Sequence, residues 1–88
     1  MKKYQVVFSK TATKELRQLP QLEIKRVFQK AKELEDDPRP PGSKKLVGEK
    51  EDLWRIRIGN YRIIYTVDDA IFIVDIRRVG HRKDVYDR

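Results

Sequence analysis

Cysteine is absent from the 88 residues, and histidine occurs once, as His81. The first absence excludes a disulfide framework, a thiol nucleophile and thiolate metal ligands, and the second argues against a transition-metal site. The four glycines form no phosphate-cradling loop. No apolar run approaches the roughly 20 residues that span a bilayer, and the start MKKYQVVFSK lacks the long apolar core of a signal peptide. A cytoplasmic protein with no membrane contact, no metal and no cofactor is the expectation. Any chemistry has to come from charge and hydroxyl groups.

What is abundant is positive charge. Twenty-one Lys and Arg against fourteen Asp and Glu leave a net charge of +7, a balance that favours polyanions such as nucleic acid or acidic protein segments. Residues 1–38 hold nine basic and six acidic side chains, and 39–88 hold twelve and eight. The excess is therefore spread along the chain, and a functional patch has to be assembled by folding.

The length suits one domain, residues 1–88, with a modest core. Tyr4 to Phe8 is a β-rich run. Ser9 can cap a helix carrying Ala12, Leu16 and Leu19 at helical spacing, and Pro20 ends it or opens the next. Ile24, Val27, Phe28, Ala31 and Leu34 then form one apolar stripe, stopped by Asp36-Asp37-Pro38. Pro40-Pro41-Gly42-Ser43 continues as a basic loop past Lys44 and Lys45, two lysines that could contact RNA or simply be solvated. After a hairpin, Asp68-Asp69 turns into AIFIVDIRRV, where apolar residues from Ala70 to Val74 suggest a strand covered on both sides. The order β-α-α-β-β-β predicts an α+β fold, two N-terminal helices packed on a small antiparallel sheet.

The hairpin reads WRIRIGNYRIIY, residues 54–65, with apolar and basic residues alternating on both sides of Gly59-Asn60. A two-residue turn there sets Ile58 opposite Tyr61, Arg57 opposite Arg62, Ile56 opposite Ile63, Arg55 opposite Ile64 and Trp54 opposite Tyr65. Trp54, Ile56, Ile58, Tyr61, Ile63 and Tyr65 share a core face. Arg55, Arg57 and Arg62 share the other. Like charges directly opposite are destabilising, so this face makes sense if an anion normally sits on it.

Three stretches, KKLVG, LWRIRIGNYRIIY and RRVGHRKDVY, together resemble the RelE family of bacterial and archaeal toxin–antitoxin systems, within the RelE/ParE superfamily. The resemblance runs the length of the chain and implies a ribosome-dependent messenger-RNA endonuclease. It implies catalytic roles for Arg55, Arg57, Arg62, Arg82 and Tyr86, with Lys44, Lys45, Arg77, Arg78 and Lys83 available to bind RNA or ribosome. Lysine often stands in the family where this chain has Arg55 and Arg57. A lysine can give up its proton, but arginine stays charged, which shifts the role of base to Tyr86. His81 could exchange protons near neutral pH, or be incidental.

Cleaving RNA through its own 2′-hydroxyl requires a proton acceptor at that oxygen, cationic donors around the phosphorane and a donor at the leaving 5′-oxygen. Guanidinium groups suit the second task because their directed donors match phosphate oxygens. A toxin of this type implies an acidic, partly disordered antitoxin as partner, beside the ribosome and messenger, with no direct DNA contact by this chain. The competing readings are a ParE-like gyrase poison and a non-catalytic RNA-binding module. Arg62 could also be structural, paired with Asp75 or a helix carboxylate.

Overall fold

The computed structural model describes residues 3–48 and 50–81. The elements are β1 (Gln5–Phe8), α1 (Lys10–Arg17), α2 (Gln21–Asp36), β2 (Lys44–Lys45), β3 (Leu53–Ile58), β4 (Tyr61–Asp68) and β5 (Ile73–His81). They build one sheet of order β1-β5-β4-β3-β2 with both helices packed on the same side. No helix among the described residues is long and apolar enough to cross a membrane.

Each helix forms where its apolar stripe meets a stop signal. Ser9 caps α1 by accepting the Ala12 N–H at 3.1 Å, and Ala12 and Leu16, one turn apart, are buried beneath it. Pro20 stands just before α2, whose buried residues are Val27, Ala31 and Leu34. These meet Ile56, Ile58, Ile63, Tyr65, Val74, Ile76 and Val79 from the sheet in one core. Phe28 departs from the expected stripe: it is 52% exposed and packs edge-on against Phe8, with ring centroids 5.8 Å apart. The stripe through Val27, Ala31 and Leu34 is too narrow to turn Phe28 inward as well.

The sheet departs from the expectation in two ways. β1 runs parallel to β5, so the sheet is mixed. Lys44 and Lys45, expected in a loop, form a two-residue strand paired with Arg55 and Trp54 of β3. The last strand also starts later than its apolar run, at Ile73. Asp68 explains the delay, since its Oδ1 accepts the N–H groups of Ala70 and Ile71 and holds them in a turn. Ile71 is left 62% exposed, and Phe72 has a left-handed φ of 58°.

Between β4 and β5 the register shifts at Ile64/Tyr65: Ile64 faces Arg78, while Tyr65 faces Ile76. Arg77 is the extra residue of a β-bulge. The bulge lets Ile76 and Val79, three positions apart, both enter the core. An unbroken strand would point them to opposite faces.

Tyr65, fully buried, ties this core to the loop after α2 by donating its hydroxyl to the Pro38 carbonyl at 2.8 Å. Nearby, Arg39 forms a two-point ion pair with Asp69, which also accepts the Tyr4 hydroxyl at 2.6 Å. The guanidinium stacks over Trp54, 5.2 Å from the ring centroid. Arg39 and Tyr4 hold the Asp69 carboxyl below its ordinary value. The stabilisation from this cluster is thus present above the unfolded aspartate pKa and lost as pH falls through the lowered one.

Burial pushes the Tyr65 phenol from 10 up to about 12. The protonated form is the one favoured by folding, so its contribution is complete below pH 10 and disappears as pH rises through about 12. Tyr65→Phe is expected to cost about 1–3 kcal/mol at neutral pH, by leaving the Pro38 carbonyl without its donor. Urea denaturation across the alkaline range should show a smaller loss of stability for the variant than for the parent protein.

Candidate active site

The turn at Gly59–Asn60 positions the basic face. Gly59 has a φ of 60°, while Asn60 has none of the positive φ that a type I′ turn requires. A single positive angle at the first central residue is the pattern of a II′ turn, which glycine adopts readily. The β3–β4 register follows, with Arg57 opposite Arg62, Arg55 opposite Ile64 and Ile58 opposite Tyr61. β2 adds Lys44 opposite Arg55. Facing residues share a side of the sheet, so Lys44, Arg55, Arg57 and Arg62 lie together on the face turned away from the helices.

This arrangement stacks two like-charged cross-strand pairs next to each other. Arg57 is exposed, Arg55 half-buried, and Arg62 buried at 7% exposure. No carboxylate among the described residues is within ion-pair distance of Lys44 or Arg57. Beside the row opens a cleft of about 600 Å³, lined by Lys30 of α2, the Pro41–Lys44 segment, and Arg55, Ile56 and Arg57 of β3. Pro40 to Ser43 make its wall as a tight turn, with Gly42 at φ 97° and the Ser43 N–H donating to the Pro40 carbonyl at 3.0 Å.

The other sequence candidates lie elsewhere. Lys45 faces the Trp54 side and pairs with Asp52 at 3.3 Å. Arg77 bonds Glu51 at 2.9 Å, and Arg78 grips Glu15 through Nε and Nη2. Each carboxylate raises the pKa of its guanidinium partner. Each of these three cations thus has a carboxylate partner within the fold. Asp75 lies opposite Thr66, away from the Arg62 row, which itself faces Gly80.

His81 pairs in register with Tyr61, so it lies on the helix side of the sheet, opposite the arginine face. Its ring meets Tyr61 edge-on with centroids 5.6 Å apart. Together they line a separate cavity of about 360 Å³ with Glu15, Gln18 and Leu19. Arg82, Lys83 and Tyr86 lie outside the described residues.

Two cations near the site, both on α2, were not singled out from the sequence. Lys30 lines the cleft, and Arg26 reaches the hairpin tip, where a Cβ added to Gly59 would lie 3.6 Å from its Nη1. Their four-residue spacing on α2 puts both on one helical side. That spacing was the available signal.

Comparison with known proteins shows the family. The family model described as the ParE toxin of the type II toxin–antitoxin system parDE matches residues 6–86. The chain belongs to the RelE/ParE family of type II toxins. The toxin is 37% identical to Toxin RelG of Mycobacterium tuberculosis over 86 residues, covering 97% of this chain and 98% of that protein. It is 34% identical to the putative toxin RelE1 of Methanocaldococcus jannaschii, covering 96% of each. Among solved structures, the RelBE2 toxin–antitoxin complex of M. tuberculosis aligns with a TM-score of 0.82 at 34% identity, over 91% of this chain and 99% of that one. The RelE–RelB complex of Pyrococcus horikoshii aligns at 0.80 and 32% identity, over 91% and 96%.

In the toxin, Arg57 stands directly opposite a like charge on a well-packed hairpin, and such facing pairs are destabilising. Arg57→Thr, which keeps a good strand former, should raise stability by about 0.2–1 kcal/mol at low ionic strength. The gain should shrink as salt screens the repulsion. Urea denaturation at two salt concentrations measures both. A variant less stable than its parent would show that Arg57 is held by a favourable interaction.

Proposed function

We propose that the toxin is a metal-independent endoribonuclease that cleaves messenger RNA on the ribosome, acting in the cytoplasm where translation occurs. The observation that carries this reading is Arg57 placed directly opposite Arg62, flanked by Arg55 and Lys44 on one face. Guanidinium donors on one face match the oxygens of a phosphodiester. The RelE names of its relatives point the same way.

In this reading the 2′-oxygen next to the scissile phosphate attacks phosphorus, and the bond to the 5′-oxygen breaks. Arg55, Arg57 and Arg62 neutralise the charge that develops on the equatorial oxygens. Tyr86 takes the 2′-proton, and cations close to a phenol favour the deprotonated form that this needs. Arg82 donates a hydrogen bond to the leaving 5′-oxygen, which takes its proton from water because the guanidinium stays charged. His81, on the other side of the sheet, has no part in this scheme. With no strong base in the cluster, the ribosome's contribution is to hold the messenger with its 2′-oxygen in line for attack.

RelE relatives are seen in complex with RelB antitoxins, which supports a cognate antitoxin, acidic and partly disordered, as this toxin's partner. DNA contact is assigned to that partner and not to this chain.

Primer extension on a defined messenger, with and without translating ribosomes, tests the proposal. Cleavage should require ribosomes and fall by about 10²–10³ in rate when Arg62 is changed to Ala, the loss typical for one donor to a developing oxyanion. Tyr86→Phe and Arg82→Ala should also lose cleavage. The matched family model carries the ParE name, so an intact messenger under every condition, together with inhibition of gyrase supercoiling, would replace this reading with a gyrase poison. RNA binding that survives Tyr86→Phe without any cleavage would indicate a binding module.

A further inference from the structure

We infer that the cleft between α2 and β3 is a second phosphate subsite, in which Lys30 and Lys44 hold the single-stranded RNA backbone one phosphate away from the Arg57/Arg62 pair. The assignment of that neighbouring phosphate as the scissile one rests on the nuclease reading; the binding of RNA in the cleft does not.

The cleft has the composition of an anion site. Four cations line it, Lys30, Lys44, Arg55 and Arg57, and no acidic side chain does. The nearest carboxylate on its helix wall is Glu33, which accepts from Lys30 Nζ at 2.8 Å. An ammonium has three donors, so this pair leaves two for another acceptor. Lys30 is held with its side chain 25% exposed, which limits the conformations it has to lose on binding. Lys44 on the opposite wall is exposed and has no ion pair among the described residues. Its strand is anchored by the Pro40–Ser43 turn and by the Leu46 N–H, which donates to the Leu53 carbonyl at 2.8 Å.

The open edge of β3 favours RNA over a protein strand as the occupant. β2 pairs only with Trp54 and Arg55, which leaves Ile56 to Ile58 before the turn at Gly59. Three residues offer a partner strand only a short ladder against the usual length of about 5–6 residues. A phosphodiester backbone needs no such ladder. Arg57 belongs both to the cleft and to the row with Arg62. A chain seated on that row can therefore run from Arg57 directly between Lys30 and Lys44.

The test uses a fluorescent single-stranded oligonucleotide with 2′-O-methyl riboses, which cannot be cleaved through the 2′-oxygen, titrated with the full-length toxin by fluorescence anisotropy. The double variant Lys30→Gln/Lys44→Gln is compared with Lys25→Gln/Lys32→Gln, an equal loss of charge at exposed α2 positions that do not line the cleft. The cleft variant should bind several-fold more weakly, and its plot of log affinity against log salt should flatten by about 0.7 for each phosphate that is no longer neutralised. The control should stay close to the parent slope.

Equal effects in the two variants would overturn the proposal by showing that only net charge matters. A polyglutamate peptide whose binding falls in the cleft variant while RNA binding does not would overturn it in favour of an acidic protein partner. Primer extension with the parent toxin is scored separately. Loss of the nuclease reading there, with the anisotropy result intact, leaves an RNA-binding cleft, whereas cleavage with an unaltered salt slope removes the cleft alone.

Discussion

The two-residue turn at Gly59 decides which side of the sheet every residue of the central hairpin faces. A slip of one position would carry Ile56, Ile58 and Ile63 out of the core and bring Arg55, Arg57 and Arg62 into it. The apolar cost of that exchange enforces the native register, and the register in turn forces Arg57 to face Arg62. Core packing on one side of the sheet is thus what holds repelling charges together on the other. The site's geometry comes from hydrophobic burial elsewhere and does not depend on a ligand to assemble it.

The cations divide into two populations. Lys45, Arg77 and Arg78 face Asp52, Glu51 and Glu15, and the Val79 N–H donates to the same Glu15 at 2.8 Å. These bonds fasten β5 to α1 and the strand edges to the preceding loop. Lys44 and Arg57 have no such partners among the described residues. Acidic residues are thus spaced to neutralise the structural cations, while Lys44 and Arg57 keep none beside them among the described residues. A net charge says nothing of this division, because it counts both populations alike.

Much of the fold was readable from the chain. The helix stripes, the Ser9 cap, the hairpin register and its two faces all follow from local periodicity and turn chemistry, which single residues announce. The elements that were missed depend on distant partners. Lys44–Lys45 becomes a strand only because β3 offers an edge, and β1 takes a parallel partner through pairing across most of the chain. The bulge at Arg77 shows in the sequence only as two consecutive arginines between Ile76 and Val79, and it brings both of those apolar residues inward. At the site, Arg55, Arg57 and Arg62 were legible because one hairpin carries them. Lys30 was not, since its place beside β3 is set by how α2 crosses the sheet. The placement of His81 on the helix side follows from its pairing with Tyr61, a long-range register that inspection of RRVGHRK does not reveal.

The stacking of Arg39 on Trp54 has an optical consequence. Trp54 is the only tryptophan in the chain, it neighbours Arg55 along β3, and Arg39, whose guanidinium covers its ring, directly precedes the Pro40–Ser43 turn of the cleft wall. Indole emission responds to a cation over its face and to the water around it. A ligand that enters the cleft and shifts this loop would change the environment of a single chromophore. The protein therefore carries a built-in reporter for its own basic face, readable at natural sequence and without any attached dye.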